Sequence, residues 1–270
     1  MSDTNYSAQI ASALLPLREP IFRSAIEELQ IPIGSRGLDA GCGIGFQTLL
    51  LAEAVGTNGH VVGLDISPDL LAYAEQMVEK SDFSGRISFQ QGDVCQLPFE
   101  TNSHDWVWSV DCVGYIPLEP IPLIKELVRV VKPGGYIAIL AWSSEKLLPG
   151  YPVLEARLNN TAAGIAPFVR GQEPTSHFMR APGWLHEVGL EEVIAHTFVE
   201  DAYAPLTAEI RSALIELLEM RWHNVESELS PADWLEYKRL CQVGSPDFIL
   251  DHLDYYAFFT YSMFHGKVAK

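Results

Sequence analysis

The chain has 270 residues, of which 48% are hydrophobic, and its formal net charge is -17. A chain of this length and composition can bury a large core, and it is somewhat long for one doubly wound domain, so we expect extra helices beside such a domain. Acidic residues outnumber basic ones by 17 to 8 in residues 1–142 and by 18 to 10 in residues 143–270, which leaves no basic half for a nucleic-acid backbone and argues against DNA or RNA partners.

The first predicted element is a strand that carries Asp39 and ends in a glycine turn at Gly41, Gly43 and Gly45. Glycines let the chain turn sharply there and let a ligand approach the backbone, because no Cβ stands in the way. A second apolar run ends at Asp65, which places a carboxylate where it can accept hydrogen bonds from both hydroxyls of a ribose. Together the two segments predict a nucleoside-binding crevice in an α/β sheet.

Two residues near the glycine turn favour S-adenosylmethionine over a dinucleotide. A dinucleotide fingerprint that starts at Gly41 needs its last glycine at position 46, but that residue is Phe46. Asp39 precedes the turn, where it would repel a pyrophosphate and attract the ammonium group of a methionine moiety. We therefore expect a cationic nucleoside ligand.

Three more strands are predicted before residue 142. The third ends near Gly92 and Asp93, where the aspartate is placed to accept the adenine amino group or to serve only as a turn acid. The fourth runs from Asp105 to Asp111, and residues 131–140 combine a helix end, a Pro-Gly-Gly turn and a fifth strand. The alternation predicts a doubly wound, Rossmann-like sheet whose ligands bind at the carboxyl ends of the strands.

Five segments in this order carry a family resemblance: LDAGCGIGFQT, VVGLDIS, GDVCQLPF, DWVWSVDCVGY and LVRVVKPGGYIAIL. Over about residues 30–142 the chain resembles the class I S-adenosylmethionine-dependent methyltransferases, and among them the small-molecule, ubiquinone- and menaquinone-methyltransferase-like enzymes. With a sixth strand over 191–200 and an alternating seventh strand over 255–268, we expect a seven-stranded, mostly parallel sheet with an antiparallel last strand. The cofactor-binding residues that the resemblance implies are Asp39, Gly41, Cys42, Gly43, Asp65, Ile66, Gly92, Asp93, Val94 and Ser109.

Each of these positions has an implied role. The methionine moiety is lined by Asp39, Gly41 and Gly43. Asp65 holds the ribose, Ile66 packs on adenine, and Asp93 with Val94 binds the adenine edge. Ser109 offers its backbone near the methionine amine. Many relatives carry a histidine or an asparagine–aromatic pair after the fourth strand, whereas this chain has Asp111-Cys112-Val113-Gly114-Tyr115.

The second half of the chain predicts helical insertions into the core. Residues 1–142 are assigned to N-terminal helices and the binding core, 143–182 to a first lid insertion, 183–200 to a core helix and the sixth strand, 201–254 to a second lid insertion and 255–270 to the last strand. Helices are predicted over 207–224 and 230–241, the latter capped by Ser230. We expect a mobile lid over an apolar or aromatic acceptor, although ordinary core packing explains the same aromatics: Trp142, Phe168, Phe178, Trp222 and Tyr256.

Methyl transfer from a sulfonium needs positioning more than a base. If the acceptor must lose a proton, Asp111 and Tyr115 follow the fourth strand, and His177 and His223 belong to the predicted lid. We expect a small-molecule methyltransferase that works as a monomer or homodimer. The alternatives are a protein of this fold that uses or senses S-adenosylmethionine for another purpose, and a dinucleotide oxidoreductase.

The cysteine, histidine and hydropathy patterns bear on disulfides, metal binding and cellular location. The four cysteines form no C-x-x-C pair and the eight histidines show no metal-ligand spacing, so we expect no disulfide framework and no metal. Residues 1–20 lack a basic and apolar leader, and no apolar stretch approaches the ~20 residues of a membrane span. A cytoplasmic protein with no integral membrane segment is expected.

Overall fold

The computed structural model describes residues 3–114, 119–165 and 173–270, with side chains from residue 8 onward. Its strands form one sheet in the order β3-β2-β1-β4-β5-β7-β6, in which β7 alone runs antiparallel to the others. The predicted architecture is therefore confirmed. The strands are β1 (Arg36–Ala40), β2 (His60–Asp65), β3 (Ile87–Gln91), β4 (His104–Val110), β5 (Val131–Lys146), β6 (Leu190–Tyr203) and β7 (Tyr256–Val268).

Helices cover both faces of this sheet. They are α1 (Asp3–Ala13), α2 (Leu15–Glu28), α3 (Phe46–Ala54), α4 (Pro68–Glu79), α5 (Pro120–Val130), α6 (Pro152–Leu158), α7 (Ala181–Glu187), α8 (Ala208–Arg221) and α9 (Pro231–Cys241). Strands β1, β2 and β4 are buried along almost their whole length, as expected for parallel strands that are covered on both faces. No helix in the described ranges is long and apolar enough to cross a membrane.

Two predicted strand boundaries were wrong. β4 ends at Val110, and Asp111 instead adopts a left-handed backbone with φ of 48°. β5 already begins at Val131 and runs through the Pro-Gly-Gly segment. A Cβ on Gly135 would lie 2.3 Å from the carbonyl oxygen of Asp105, so β5 can pass β4 this closely only because residue 135 is glycine.

The second half keeps the predicted order with different limits. β5 continues to Lys146 and β6 to Tyr203, so each strand extends into a segment predicted as an insertion. The cap of α9 is confirmed, because the Ser230 hydroxyl accepts a hydrogen bond from the Asp233 N–H. Several residues that were assigned to the lid therefore belong to β5 and β6.

The second insertion shares the main hydrophobic core. Leu214, Leu217, Trp222 and Phe248 are almost completely buried there with residues of α2, α3 and the sheet. The Trp222 indole donates a hydrogen bond to Asn159 Oδ1 over 2.9 Å. Ordinary core packing therefore describes Trp222, while a mobile lid stays a prediction for the two insertions as a whole.

Candidate functional site

The glycine turn connects β1 to α3 and has one closed and one open position. The N–H groups of Gly41 and Cys42 both donate to the Leu64 carbonyl, over 2.8 and 2.9 Å. Gly43 has φ of 53° and no atom within 4 Å of an added Cβ, whereas a Cβ on Gly45 would lie 2.7 Å from Ala74 Cβ. Gly45 therefore permits close packing against α4, and Gly43 leaves space for a ligand beside the backbone.

Gly45 also changes the interpretation of Phe46. The close approach that a dinucleotide fingerprint assigns to a glycine at position 46 is made here one residue earlier, and Phe46 is the first residue of α3. The third glycine of the G-x-G-x-G spacing is therefore the one that this turn needs in order to pack against α4.

Asp65 ends β2 and holds the glycine turn. Its Oδ2 accepts a hydrogen bond from the Gly43 N–H and its Oδ1 from the Ser67 N–H, each over 2.9 Å. A carboxylate has about four acceptor positions, so both oxygens keep capacity for the hydroxyls of a ribose. The residues at this point fit a nucleoside beside Gly43.

Asp39 lies in β1 just before the turn and is only 2% exposed. Its Oδ2 accepts a hydrogen bond of 2.6 Å from the Thr48 hydroxyl. Burial raises the pKa of the Asp39 carboxyl to about 7, and the nearby charge of Asp65 adds to the rise. A cationic ligand group would favour the ionised form of Asp39.

The predicted adenine side has an exposed apolar residue and an exposed acid. Ile66 is 67% exposed although its side chain is large and apolar. Asp93 is exposed, and its Oδ1 accepts a hydrogen bond from the Cys95 N–H over 2.8 Å, so it acts as a turn acid while its adenine role stays a prediction. Gly92 donates its N–H to the Asp65 carbonyl over 3.0 Å, and Val94 is buried.

Ser109 and two cysteines form the buried floor next to the turn. The Ser109 hydroxyl donates to the Ala40 carbonyl over 2.8 Å, joining the ends of β4 and β1. A Cβ on Gly41 would lie 3.0 Å from Cys112 Sγ. Burial raises the pKa of the Cys112 thiol to about 12 and also raises that of Cys42. All four cysteines of the chain are free thiols, and these two fill space.

Asp111, which directly follows β4, contacts residues of β5 and β7. One of its oxygens accepts a hydrogen bond from the Trp142 N–H over 2.9 Å, and the other accepts one from the Tyr261 hydroxyl over 2.8 Å. Burial raises the pKa of the Asp111 carboxyl, while the charge of Arg18 and the two hydrogen bonds act in the opposite direction. Asp111 therefore lies at the carboxyl edge of the sheet, as predicted, but both oxygens already have donors.

Sequence reasoning missed a charged network around Trp142. The Trp142 indole donates to Glu145, which also accepts a hydrogen bond of 2.9 Å from Arg221 Nε. The guanidinium carbon of Arg18 lies 5.5 Å from the Trp142 ring centroid. A signal for Arg18 was present, because it falls at helical spacing among apolar residues of the N-terminal region: Leu14, Ile21 and Ala25.

His177 belongs to a segment that touches the loop after β4. A Cβ on Gly114 would lie 3.1 Å from the Phe178 Cα, so this part of the first insertion packs directly against that loop. His177 stacks on Phe178 at 4.7 Å, its Nδ1 accepts a hydrogen bond from the Met179 N–H, and burial lowers its pKa. Tyr115 and Phe168 lie outside the described residues.

Two other candidates lie at the surface. His223 is exposed and its Nδ1 is 3.0 Å from the Met220 carbonyl in its own turn. Tyr256 is 47% exposed, and its hydroxyl is 3.4 Å from Asp201 Oδ2 on β6. The hydrogen-bond contacts of both residues are with their own neighbourhood and not with the glycine turn.

Comparison with known proteins gives one family and many relatives. Residues 38–135 match the family described as Methyltransferase domain. The demethylmenaquinone methyltransferase of Bacillus cereus is 37% identical over 120 residues, which are 44% of this chain and 50% of that protein. The chain spans about half the length of the curated relatives that it matches.

Solved structures resemble the fold at low sequence identity. A SAM-dependent methyltransferase from Aquifex aeolicus superposes with a TM-score of 0.53 at 21% identity, covering 72% of this chain and 93% of that one. The [4+2]-cyclase SpnF superposes with a TM-score of 0.52 at 22% identity, covering 92% of this chain and 81% of that one.

Proposed function

We propose that this protein transfers a methyl group from S-adenosylmethionine to a small apolar or aromatic acceptor, because residues 38–135 match the family described as Methyltransferase domain and the demethylmenaquinone methyltransferase of Bacillus cereus is 37% identical over half of its length. The observation that carries the proposal is the joint geometry of Gly43 and Asp65. An open glycine lies beside a carboxylate that is fixed by two backbone donors and retains acceptor capacity.

When bound, S-adenosylmethionine supplies a methyl carbon that is already activated for in-line displacement. In our proposal Asp65 binds the ribose, Ile66 and Asp93 contact the adenine, and the open space at Gly43 admits the methionine moiety. Asp39 supplies negative charge near the cationic end. The protein's contribution is then mainly orientation and exclusion of water, which by analogy is worth up to ~7–11 kcal/mol.

The proposed acceptor side extends from Asp111 toward β5 and β7. Trp142 and Phe178 bring aromatic surface to this end of the sheet, and both contact residues that follow β4 or belong to β7. The match to quinone-modifying relatives over half their length supports an aromatic acceptor of that kind. Asp111, Tyr115 and His177 are the candidates to orient the acceptor or take its proton.

Product analysis tests this function. Purified protein, S-adenosylmethionine and a panel of hydroquinones and phenols should give S-adenosylhomocysteine and methylated product in equal amounts, measured by mass spectrometry. An acceptor found in this way also decides between oxygen, nitrogen and carbon as the methylated atom. Absence of product for every acceptor, with cofactor binding intact, would favour the alternative function.

That alternative is a protein that binds S-adenosylmethionine but performs other chemistry or senses the ligand. Its support is the superposition on a [4+2]-cyclase over 92% of this chain, since one fold hosts several chemistries. The two functions separate in one measurement. Only methyl transfer consumes the cofactor in step with product.

A further inference from the structure

Arg18 is a charged residue on the inward side of an N-terminal helix. It belongs to α2, whose Leu17, Ile21 and Phe22 are almost completely buried against the sheet. A guanidinium in such a position normally finds hydrogen-bond acceptors, because burying its N–H groups without partners is unfavourable.

Arg18 Nε lacks such an acceptor: it is buried without a hydrogen-bond partner, and Arg18 forms no salt bridge among the described residues. The Arg18 guanidinium carbon lies 5.5 Å from the centroid of the Trp142 ring, a cation–π distance that does not engage the Nε–H donor.

The nearest acids are engaged elsewhere. Asp111 accepts hydrogen bonds from Trp142 and Tyr261, and Glu145 accepts them from the Trp142 indole and Arg221. Asp111 is close enough for the charge of Arg18 to stabilise its carboxylate, but the two residues form no salt bridge. Among the described residues, the acids beside Arg18 are therefore engaged by other donors, and its Nε–H remains available to a ligand.

Arg18 also lies at the end of the sheet where ligands bind. Val110 of β4 pairs with Leu140 of β5, so Trp142 and Asp111 both lie just beyond the paired region. β4 is the neighbour of β1, which ends in the glycine turn. With strands ~5 Å apart, Trp142 lies on the order of 10 Å from that turn, which is within the reach of one small molecule or of two adjoining ones.

We propose that Arg18 is an anion-binding residue of the active site, whose guanidinium holds a carboxylate or similar oxyanion of a bound ligand. This inference rests on the proposed function. The anion has two sources, the carboxylate of the cofactor's methionine moiety or an anionic oxygen of the acceptor. Arginine suits either source, because its planar fork of donors matches a carboxylate.

Calorimetry with two cofactor probes tests the first source. If Arg18 holds the methionine carboxylate, Arg18→Gln weakens S-adenosylmethionine binding at least tenfold, Arg18→Lys weakens it less, and decarboxylated S-adenosylmethionine binds wild type and Arg18→Gln equally. Arg211→Gln is the matched control, because Arg211 also lies over an aromatic ring but has Leu250 and Asp251 as partners. It should bind both probes as wild type does.

Two aromatic probes test the second source on protein saturated with S-adenosylhomocysteine. If Arg18 holds an acceptor anion, 2-naphthoate binds wild type at least tenfold more tightly than 2-naphthamide does, and Arg18→Gln removes that preference without changing cofactor affinity. The melting temperature of each variant checks its folding.

The outcomes are distinct. The four probes are S-adenosylmethionine, decarboxylated S-adenosylmethionine, 2-naphthoate and 2-naphthamide. If the affinities of wild type and Arg18→Gln differ by less than twofold for every probe, the inference is overturned. If Arg18→Gln fails to fold, the wild-type protein decides. The inference is also overturned if wild type binds each probe that has a carboxylate no more tightly than the matching probe that lacks one. Wild type that binds no S-adenosylmethionine overturns the proposed function instead.

Discussion

The Asp65 carboxylate accepts a hydrogen bond from the Gly43 N–H over 2.9 Å, so the acid that ends β2 fixes the turn that follows β1. A second hydrogen bond, from the Ser67 N–H, joins the same carboxylate to the start of α4. Asp65 therefore links three elements: β2, the glycine turn and α4.

Asp65→Ala is therefore expected to weaken both the cofactor site and the fold. Hydrogen bonds to a charged group contribute about 1.5–3 kcal/mol, so S-adenosylmethionine should bind roughly tenfold to 150-fold more weakly, and the melting temperature should fall. Asp65→Asn should lie between wild type and Asp65→Ala. Calorimetry and thermal unfolding measure the two effects, with exposed Asp82→Ala as control. Unchanged affinity in Asp65→Ala would show that the ribose role is wrong.

Gly43→Ala and Gly45→Ala should separate binding from stability. Both positions have positive φ, which costs a residue with a Cβ about 1–2 kcal/mol. Gly45→Ala also forces its Cβ against Ala74 at 2.7 Å, adding about 1–3 kcal/mol of overpacking. Gly43→Ala meets no protein atom but fills the space proposed for the ligand.

We expect Gly43→Ala to lose at least tenfold in S-adenosylmethionine affinity with the smaller loss of stability, and Gly45→Ala to show the larger loss in urea unfolding. The reverse order of stabilities would contradict the packing described here. Normal cofactor affinity in Gly43→Ala would place the ligand elsewhere.

Asp39 should make stability depend on pH in an unusual direction. Its folded pKa of about 7 lies above the unfolded value of 3.8, so between these values the folded state binds more protons, and stability falls as pH rises. The decrease is on the order of 4 kcal/mol when complete. Asp39→Asn lacks this titration but can still accept the Thr48 hydroxyl.

The measurement is the free energy of urea unfolding of wild type and Asp39→Asn from about pH 4 to about pH 8. Wild type should lose stability relative to Asp39→Asn as pH rises, whereas parallel curves would exclude a raised pKa. Because a cationic ligand favours the ionised carboxyl, S-adenosylmethionine affinity of wild type should also rise with pH through about 7, and Asp39→Asn should lose that slope.

Hydrogen exchange should divide the predicted lid into two parts. Leu214, Leu217 and Leu218 of α8 belong to the main core, so their amides should exchange slowly even in the free protein. Residues 173–180 should gain protection when S-adenosylhomocysteine binds. Equally high protection throughout both insertions in the free protein would indicate a rigid scaffold.

The core strands and the glycine turn could be predicted because each is encoded by a short stretch of sequence. The apolar run that ends at Asp65 and the glycines at 41, 43 and 45 each follow from a few neighbouring residues, and the structure confirms the strands and the turn. The cap at Ser230 was predictable for the same reason.

The features that could not be predicted from the sequence depend on contacts between residues far apart in the chain. The left-handed backbone of Asp111 accompanies contacts with Trp142 and Tyr261, 31 and 150 residues away. The close packing of Gly45 depends on Ala74, and the position of Arg18 over Trp142 depends on how α2 lies across the sheet. No spacing within one segment encodes such pairs.

β6 forms one edge of the sheet, and most of its side chains are exposed. An open edge is a template on which another chain can add its own strand and begin a fibre. The register shift between Glu191 and Ile194 and the left-handed backbone of Glu192 interrupt this edge. Bulges of this kind hinder the addition of a regular strand, so we expect them to disfavour aggregation through β6.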